Sequence, residues 1–236
     1  MTKKETISAI FDRLTPLLES EGFKLDSKNQ YYLKNTKEAL FNYDIRFYDR
    51  TVAKTGERGF LIEPVVYINV KAIEDIYKQI TVNKYLTKPV DFITLGGNVA
   101  NLEANPDGLR QKWDQSLDLL VFESSDVDYV AGQLLHHFSK TALPYCLESG
   151  NIAGVDRLLN KNPDQYTVHM ANETYRIIKG LIAAKLVNNP RLGDLVLTYE
   201  RIIQDWELPV ETQQEFDRVI AVLPELNEGV RLKNRF

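Results

Sequence analysis

Residues 39–70, ALFNYDIRFYDRTVAKTGERGFLIEPVVYINV, decide the fold of this 236-residue chain. Apolar and polar residues alternate from Phe41 to Tyr48 and again in the second half of the stretch. A period of two is typical of strands with one buried face, and the glycine-containing segment between the two runs predicts a hairpin loop. Pro64 cannot donate a hydrogen bond to a neighbouring strand, so it predicts an edge strand or a bulge.

The segments on either side of this hairpin add helices and further strands. Apolar residues recur at helical spacing from Ile7 to Leu18, and Gly22 follows as a helix stop. Pro16 lies inside this pattern and predicts a kink or two shorter helices. After the hairpin, residues 73–85 have helical spacing, and the segments QYYLKN, VDFITLGG and DLLVFES predict three more strands.

Beyond Ser125 the apolar spacing is almost entirely helical. It predicts helices near residues 126–140, 151–160, 172–188, 191–206 and 211–223. Pro144 predicts one of the breaks between them. The predicted fold is therefore α+β, with a mostly antiparallel N-terminal sheet and flanking helices in residues 1–125. Residues 126–236 would form a helical bundle, either as a domain or as an extension packed on the sheet.

The charge and composition of the chain exclude several classes of protein. The formal net charge is -4, and no concentrated basic region precedes the short tail with Arg231, Lys233 and Arg235. Nucleic-acid binding normally needs such a region, so no nucleic-acid partner is expected. No apolar run approaches the length of a membrane helix, so no membrane association is expected. The single cysteine, Cys146, excludes an intrachain disulfide, and a cytoplasmic location is expected.

A few side chains could support catalysis. Cys146 could act as a nucleophile with His136 or His137 as its base, although a lone cysteine is more often a buried apolar residue. His169, with Glu173 nearby in sequence, is a further candidate, and both could belong to a catalytic site that is assembled only in the fold. His136 and His137 diverge by about 100 degrees on a helix, so they would not share a metal ion. No metal site and no cofactor are predicted.

Two groups of residues could instead form binding surfaces. An acidic face that could contact a basic partner consists of Asp114, Asp118, Glu123, Asp126 and Asp128. This series lacks the spacing of a calcium loop, and Asp126 is better explained as a helix N-cap. Aromatic residues on the predicted strands could form a protein-binding patch if they were exposed, although packing in the sheet is the favoured explanation. The residues of this patch are Tyr43, Phe47, Tyr48 and Tyr67.

A broader pattern covers residues 1–160. A helix ending in LLESEGFKLDSKNQYYL is followed by the strand segment YINVKAI and by the helical segment ALPYCLESGNIAGVDRLLN. The pattern resembles bacterial proteins that carry the domain of unknown function 4304. Its best matches are Gly22, Phe23, Tyr32, Leu143 and Pro144. That family has no established catalytic residues, and some of its members resemble immunity proteins encoded near bacterial toxins.

The resemblance and the lack of a catalytic motif favour a non-enzymatic protein-binding role, of which toxin neutralisation is one form. The first alternative is an enzyme whose site is assembled only in the fold. The second is a structural or oligomerising module with an apolar helix face between Leu181 and Tyr199. The sequence leaves the oligomeric state open.

Overall fold

The computed structural model describes residues 2–112 and 115–226, and they form an α+β fold. The strands are β1 Lys24–Asp26, β2 Tyr31–Asn35, β3 Ala39–Thr51, β4 Arg58–Val70, β5 Leu95–Asn98 and β6 Leu119–Val121. The helices are α1 Lys3–Ser20, α2 Lys71–Ile80, α3 Val99–Ala104, α4 Asp126–His137, α5 Leu143–Ser149, α6 Ile152–Asn160, α7 Glu173–Leu186, α8 Leu192–Asp205 and α9 Val210–Val222. None of these helices is long and apolar enough to cross a membrane.

The sheet is antiparallel throughout and has the order β1-β2-β3-β4-β5, with β6 also paired to β4. The pairing of β3 with β4 runs without interruption from Ala39 opposite Val70 to Thr51 opposite Arg58. Buried and half-buried residues alternate along β3 from Ala39 to Phe47. The hairpin predicted from the alternating sequence is therefore confirmed.

Pro64 lies in the central strand β4, so its assignment to an edge strand or a bulge was wrong. It pairs with Ile45 inside the unbroken β3–β4 ladder. On the other side of β4, residues 60–62 pair with β6 and residues 65–68 pair with β5. Pro64 lies between these two short ladders, where the sheet requires no N–H from β4.

Two other prolines interrupt helices less than their sequence context predicts. α1 runs from Lys3 to Ser20 as one helix rather than two pieces, and Pro16 is exposed on it. Its ring faces solvent, where water can donate a hydrogen bond to the helix carbonyl that has no N–H donor because of the proline. Pro144 occupies the first turn of α5, and a π-helical turn, Phe138–Ala142, joins α5 directly to α4. A widened turn accommodates a proline ring, so the predicted break is a change of helical pitch.

A single apolar core connects the sheet with the later helices. α1 packs against α4, and α2 packs against α7. α7 is the central helix of the second half, because every residue from Arg176 to Ala184 is buried. Leu181 and Tyr199 are fully buried within the chain, so they do not form the exposed apolar face expected of an oligomerising module. The division of the chain near residue 125 stays a prediction.

Candidate functional site

A cleft of about 750 Å³ lies between the loop after α3 and the helices α5 and α6. Gly108 and neighbouring loop residues form one side, and Tyr145 on α5 and Arg157 on α6 belong to the other. His169, in the segment before α7, also lines it. The cleft therefore combines side chains from four separate parts of the sequence.

Backbone hydrogen bonds hold the loop against the segment that carries His169. Leu109 forms a β-bridge with Thr167, and the Val168 amide donates to the Gly108 carbonyl over 3.1 Å. The Gly96 amide of β5 donates to the His169 carbonyl over 2.8 Å. These bonds attach the floor of the cleft to the edge of the sheet, so the position of His169 is fixed by the fold.

Gly108 allows the loop to approach His169 closely. Its φ is +81°, which is the left-handed region that favours glycine. A Cβ atom at this position would lie only 2.6 Å from Nε2 of His169. Asn105 braces the same loop, since its side-chain oxygen accepts from the amides of Gln111 and Lys112. The turn therefore needs both a glycine and a buried amide side chain.

His169 is a buried, neutral imidazole. Its side chain is stacked on Tyr145 with ring centroids 5.6 Å apart, and its Nδ1 lies 3.2 Å from the Tyr145 hydroxyl. Burial and, to a smaller extent, the positive charges of Arg176, Arg157 and Lys161 lower the pKa of His169 from its ordinary 6.5 to about 4. Burial also raises the pKa of Tyr145 well above its usual range. At neutral pH this pair supplies hydrogen-bonding groups without charge.

The depressed pKa of His169 predicts a pH dependence of stability. As pH falls from 6.5 to 4, the unfolded chain binds a proton at this histidine before the folded chain does. The free energy of unfolding should therefore decrease by up to about 3 kcal/mol across this window. Urea unfolding at a series of pH values measures the effect. His169→Gln should remove this component, whereas the same substitution at the exposed His136 should retain it.

Arg176 organises the turn between α6 and α7 at the back of the cleft. Its guanidinium is almost fully buried and donates to the carbonyls of Leu159, Asn162 and Gln165. It also forms an ion pair with Glu173 over 3.1 Å. Burial raises the pKa of Glu173, and the charge and hydrogen bond of Arg176 oppose that rise. Glu173 therefore acts as a structural partner of Arg176, not as a partner of His169.

The opposite end of the cleft contains Glu103 on α3. Its carboxylate contacts Nδ1 of His137 over 2.8 Å, accepts from the Thr141 hydroxyl and lies 3.7 Å from Nζ of Lys140. Burial opposes ionisation, but these hydrogen bonds and charges still hold the pKa of Glu103 below its usual value. Glu103 is therefore an ionised group that is held by neighbours on α4 and the π-helical turn.

The structure does not assemble the four residues considered for catalysis. His136 is exposed on α4, and Cys146 is buried in the core. Burial raises the pKa of the Cys146 thiol to about 12, which suppresses the thiolate that nucleophilic attack requires. Of the four, only His169 lines the cleft, and Glu173 lies behind it with Arg176.

The acidic series is divided among different contacts. Asp114 lies outside the described residues. Asp128 is paired with Arg13 of α1, while Asp118 and Glu123 are exposed. The Asp126 carboxylate accepts from the amides of the preceding turn at 2.8 and 3.0 Å, and these bonds lower its pKa. Its assignment as N-cap was wrong, because α4 begins at Asp126 itself.

The four aromatic residues on the strands do not form one exposed patch. Tyr43 and Phe47 lie on the inner face of β3 and belong to the core. Tyr43 contacts Phe138 with ring centroids 5.0 Å apart. Tyr48 and Tyr67 lie on the opposite face of the β3–β4 ladder and are at least partly exposed. The alternation of the strands therefore separates the set into two pairs on opposite faces.

Within residues 2–112 and 115–226, no three His, Cys, Asp or Glu side chains lie close enough together to hold a metal ion. Sequence reasoning did not identify Gly108, Tyr145, Arg157 and Lys161 as residues of one site. Their visible signals were the Asn-Pro-Asp-Gly turn and the helical spacing of the two cations. No family model matches the sequence, and the comparisons with curated proteins and with solved structures found no match.

Proposed function

We propose that the protein is a non-enzymatic protein-binding module and that the cleft at His169 is its recognition site. The observation that carries this proposal is the combination of a fixed, uncharged floor with two exposed cations, Arg157 and Lys161, on one wall. Such a surface offers hydrogen bonds and charge complementarity to a partner. The resemblance to proteins with the domain of unknown function 4304 makes toxin neutralisation the specific form we propose.

The chemistry of the cleft supports binding over proton transfer. With a pKa of about 4, His169 is far from the value at which a general base works best near neutral pH. The Cys146 thiol is buried and protonated, so it supplies no nucleophile. The exposed charged side chains of α6 retain the freedom to contact a partner.

One observation favours the enzyme alternative. His169 and Tyr145 lie within hydrogen-bond distance of each other in the cleft, as an acid–base pair would. If this pair were catalytic, the activity should be lost in both Tyr145→Phe and His169→Gln. A binding role instead predicts that Tyr145→Phe weakens recognition only partially, because the aromatic ring that stacks on the imidazole is retained while the hydroxyl that contacts Nδ1 is lost.

We also propose that the protein is bacterial and cytoplasmic and that its partner is another protein rather than nucleic acid. The family resemblance supports the bacterial source. The lone cysteine supports a reducing compartment, because it excludes an intrachain disulfide. The net charge of -4 supports a protein partner over a polyanion.

Co-purification from the native cell tests the proposed role. We expect the tagged protein to retain one partner in near-equimolar amount after a salt wash, as identified by mass spectrometry. The double variant Arg157→Glu/Lys161→Glu should reduce recovery of that partner by about tenfold or more, since charge reversal at an interface costs several kcal/mol. The control Lys28→Glu/Lys54→Glu makes the same change in charge at exposed turns outside the cleft.

Either of two results would contradict the proposal. Equal recovery of the partner by the cleft variant and by wild type would place the interface elsewhere. Recovery of the protein alone under gentle conditions would argue against a constitutive partner. Far-ultraviolet circular dichroism of each variant shows whether a loss of binding reflects a loss of folding.

A further inference from the structure

We propose that the cleft binds an acidic peptide segment and holds one of its carboxylates between Arg157 and Lys161, above the imidazole of His169. This inference rests on the proposed protein-binding function and deepens it by giving the chemistry of the partner. The carboxylate would come from a glutamate or aspartate side chain of that partner.

The two cations are placed to act together. Arg157 and Lys161 are four residues apart, and the backbone is still helical at Lys161, so their side chains share one face of α6. Both are exposed and line the cleft. Neither forms a salt bridge with the residues that the structure describes, and Arg157 makes only a 3.4 Å contact with the Glu148 carbonyl. An incoming carboxylate therefore competes with no internal ion pair.

The other charged groups of the cleft are already engaged. Arg176 is bonded to backbone carbonyls and Glu173 and is almost fully buried. Glu103 is within hydrogen-bond distance of His137 and lies 3.7 Å from Nζ of Lys140. Asp107 accepts from the Leu109 amide and from the side chain of Gln111 inside its own loop. Among the described residues that line the cleft, the charged groups without an ion pair are the two cations Arg157 and Lys161 and the two exposed carboxylates Glu148 and Asp107.

The floor of the cleft complements a carboxylate as well. The charged groups that act on His169 are all positive, and they lie on α6 and α7. When the Tyr145 hydroxyl donates to Nδ1, the neutral ring carries its hydrogen on Nε2, the nitrogen beside Gly108. Nε2 can then donate to an acceptor in the cleft. Positive charge and an N–H donor together stabilise a bound carboxylate.

The balance of charge favours a carboxylate over phosphate. On the α5–α6 wall the two cations outnumber Glu148 by one charge, and Asp107 places a second exposed carboxylate on the loop side of the cleft. A carboxylate carries one negative charge, whereas phosphate carries up to two and would be repelled more strongly by Glu148. The cleft volume of about 750 Å³ exceeds the space that one small anion needs. A peptide segment uses that space and presents a carboxylate to the cationic wall.

Calorimetric titration of the full chain tests the inference at low ionic strength. The probes are a capped oligoglutamate peptide, the matching oligoglutamine peptide and inorganic phosphate. We expect only oligoglutamate to bind, with an affinity that decreases as salt is added, because exposed charges are screened. Its binding should also shift the imidazole resonances of His169 in NMR spectra, which locates the peptide in the cleft.

Variants on the same wall should change the affinity in opposite directions. Arg157→Gln/Lys161→Gln should weaken oligoglutamate binding by about tenfold or more, because two charge-assisted contacts are lost. Glu148→Gln should strengthen it by about threefold, because a like charge is removed. Lys28→Gln/Lys54→Gln is the matched control and should retain the wild-type affinity.

Several outcomes would overturn the inference. These are equal binding of oligoglutamine, preferential binding of phosphate, or unchanged affinity in the Arg157→Gln/Lys161→Gln variant. The experiments distinguish failure of this inference from failure of the proposed protein-binding function. If oligoglutamate does not bind but a native partner is lost on charge reversal of α6, the protein-binding role stands and the acidic-segment inference falls. If oligoglutamate binds in the cleft but no native partner co-purifies, the carboxylate site stands and the constitutive role falls.

Discussion

Lys179→Met is expected to lower the free energy of unfolding by about 3–5 kcal/mol, because it leaves a buried carboxylate without its counter-charge. The Lys179 side chain on α7 and the Glu74 side chain on α2 are only 1% and 0% exposed, and Nζ lies 2.9 Å from Oε1. Glu74 cannot gain hydration without opening the contact between the two helices. The loss of the cation therefore destabilises the junction between the sheet half and the helical half.

Hydrogen bonds and aromatic rings surround this ion pair. Nζ of Lys179 donates to the Ile93 carbonyl over 2.7 Å and lies 4.4 Å from the ring centroid of Tyr77. The Thr94 hydroxyl donates to Oε1 of Glu74. Burial lowers the pKa of Lys179, and the charge of Glu74 opposes that effect. The pair is therefore a desolvated contact whose cost is offset only in part by hydrogen bonds and aromatic rings, because Oε2 of Glu74 has no hydrogen-bond partner among the described residues.

The double variant Glu74→Gln/Lys179→Met separates the cost of an unpaired charge from the loss of packing. It should recover most of the lost stability, since the Glu74 charge is removed together with its counter-charge and the glutamine oxygen can still accept from Thr94. Urea unfolding followed by circular dichroism measures all variants, and equal m-values show that the midpoints are comparable. Lys3→Met, which removes an exposed ion pair, should cost less than about 1 kcal/mol. A wild-type midpoint for Lys179→Met would contradict the explanation.

The parts of the fold that sequence could predict are those set by local periodicity. The β3–β4 hairpin was visible because its inward residues repeat every second position, and its burial pattern has the same period. The helix expected at residues 172–188 is observed as Glu173–Leu186 for the same reason. The hydrophobic pattern is sufficient to predict these elements, because the spacing of apolar residues within each element indicates which of its side chains are buried.

The site could not be predicted because it depends on contacts between distant segments. Tyr145 stacks on His169, and the loop around Gly108 is bonded to the segment before α7, so each contact joins residues that are far apart in sequence. In the sequence, the two cations of α6 look like any solvated helix face. The burial of Lys179 is equally invisible, since a lysine is normally exposed unless a distant partner compensates its charge. Pro64 was misassigned because the gap between β5 and β6 is also a tertiary feature.

Arg176→Lys is expected to lower the free energy of unfolding by about 3–5 kcal/mol even though it retains the charge. The guanidinium donates in several directions, to the carbonyls of Leu159, Asn162 and Gln165. A lysine ammonium is a compact point charge on a narrower stem and cannot reach all of these acceptors. At least one buried carbonyl then loses its donor. Urea unfolding measures the loss, and the exposed Arg157→Lys is the control that should stay within about 0.5 kcal/mol of wild type.

The same substitution should also weaken peptide binding in the cleft. The turn that Arg176 holds includes Lys161, and Lys161 lines the cationic wall. Oligoglutamate affinity should fall in Arg176→Lys under conditions where the variant is still folded, although the total charge of the chain is unchanged. Retention of both the wild-type unfolding midpoint and the wild-type peptide affinity would mean that the α6–α7 turn is held by other contacts. A loss of stability with unchanged affinity would mean that the wall of α6 keeps its position independently of that turn. A joint loss would mean that the buried guanidinium supports recognition through the position of Lys161. The guanidinium cannot bind the ligand itself, because its N–H groups are used in the contacts with Glu173 and the backbone carbonyls.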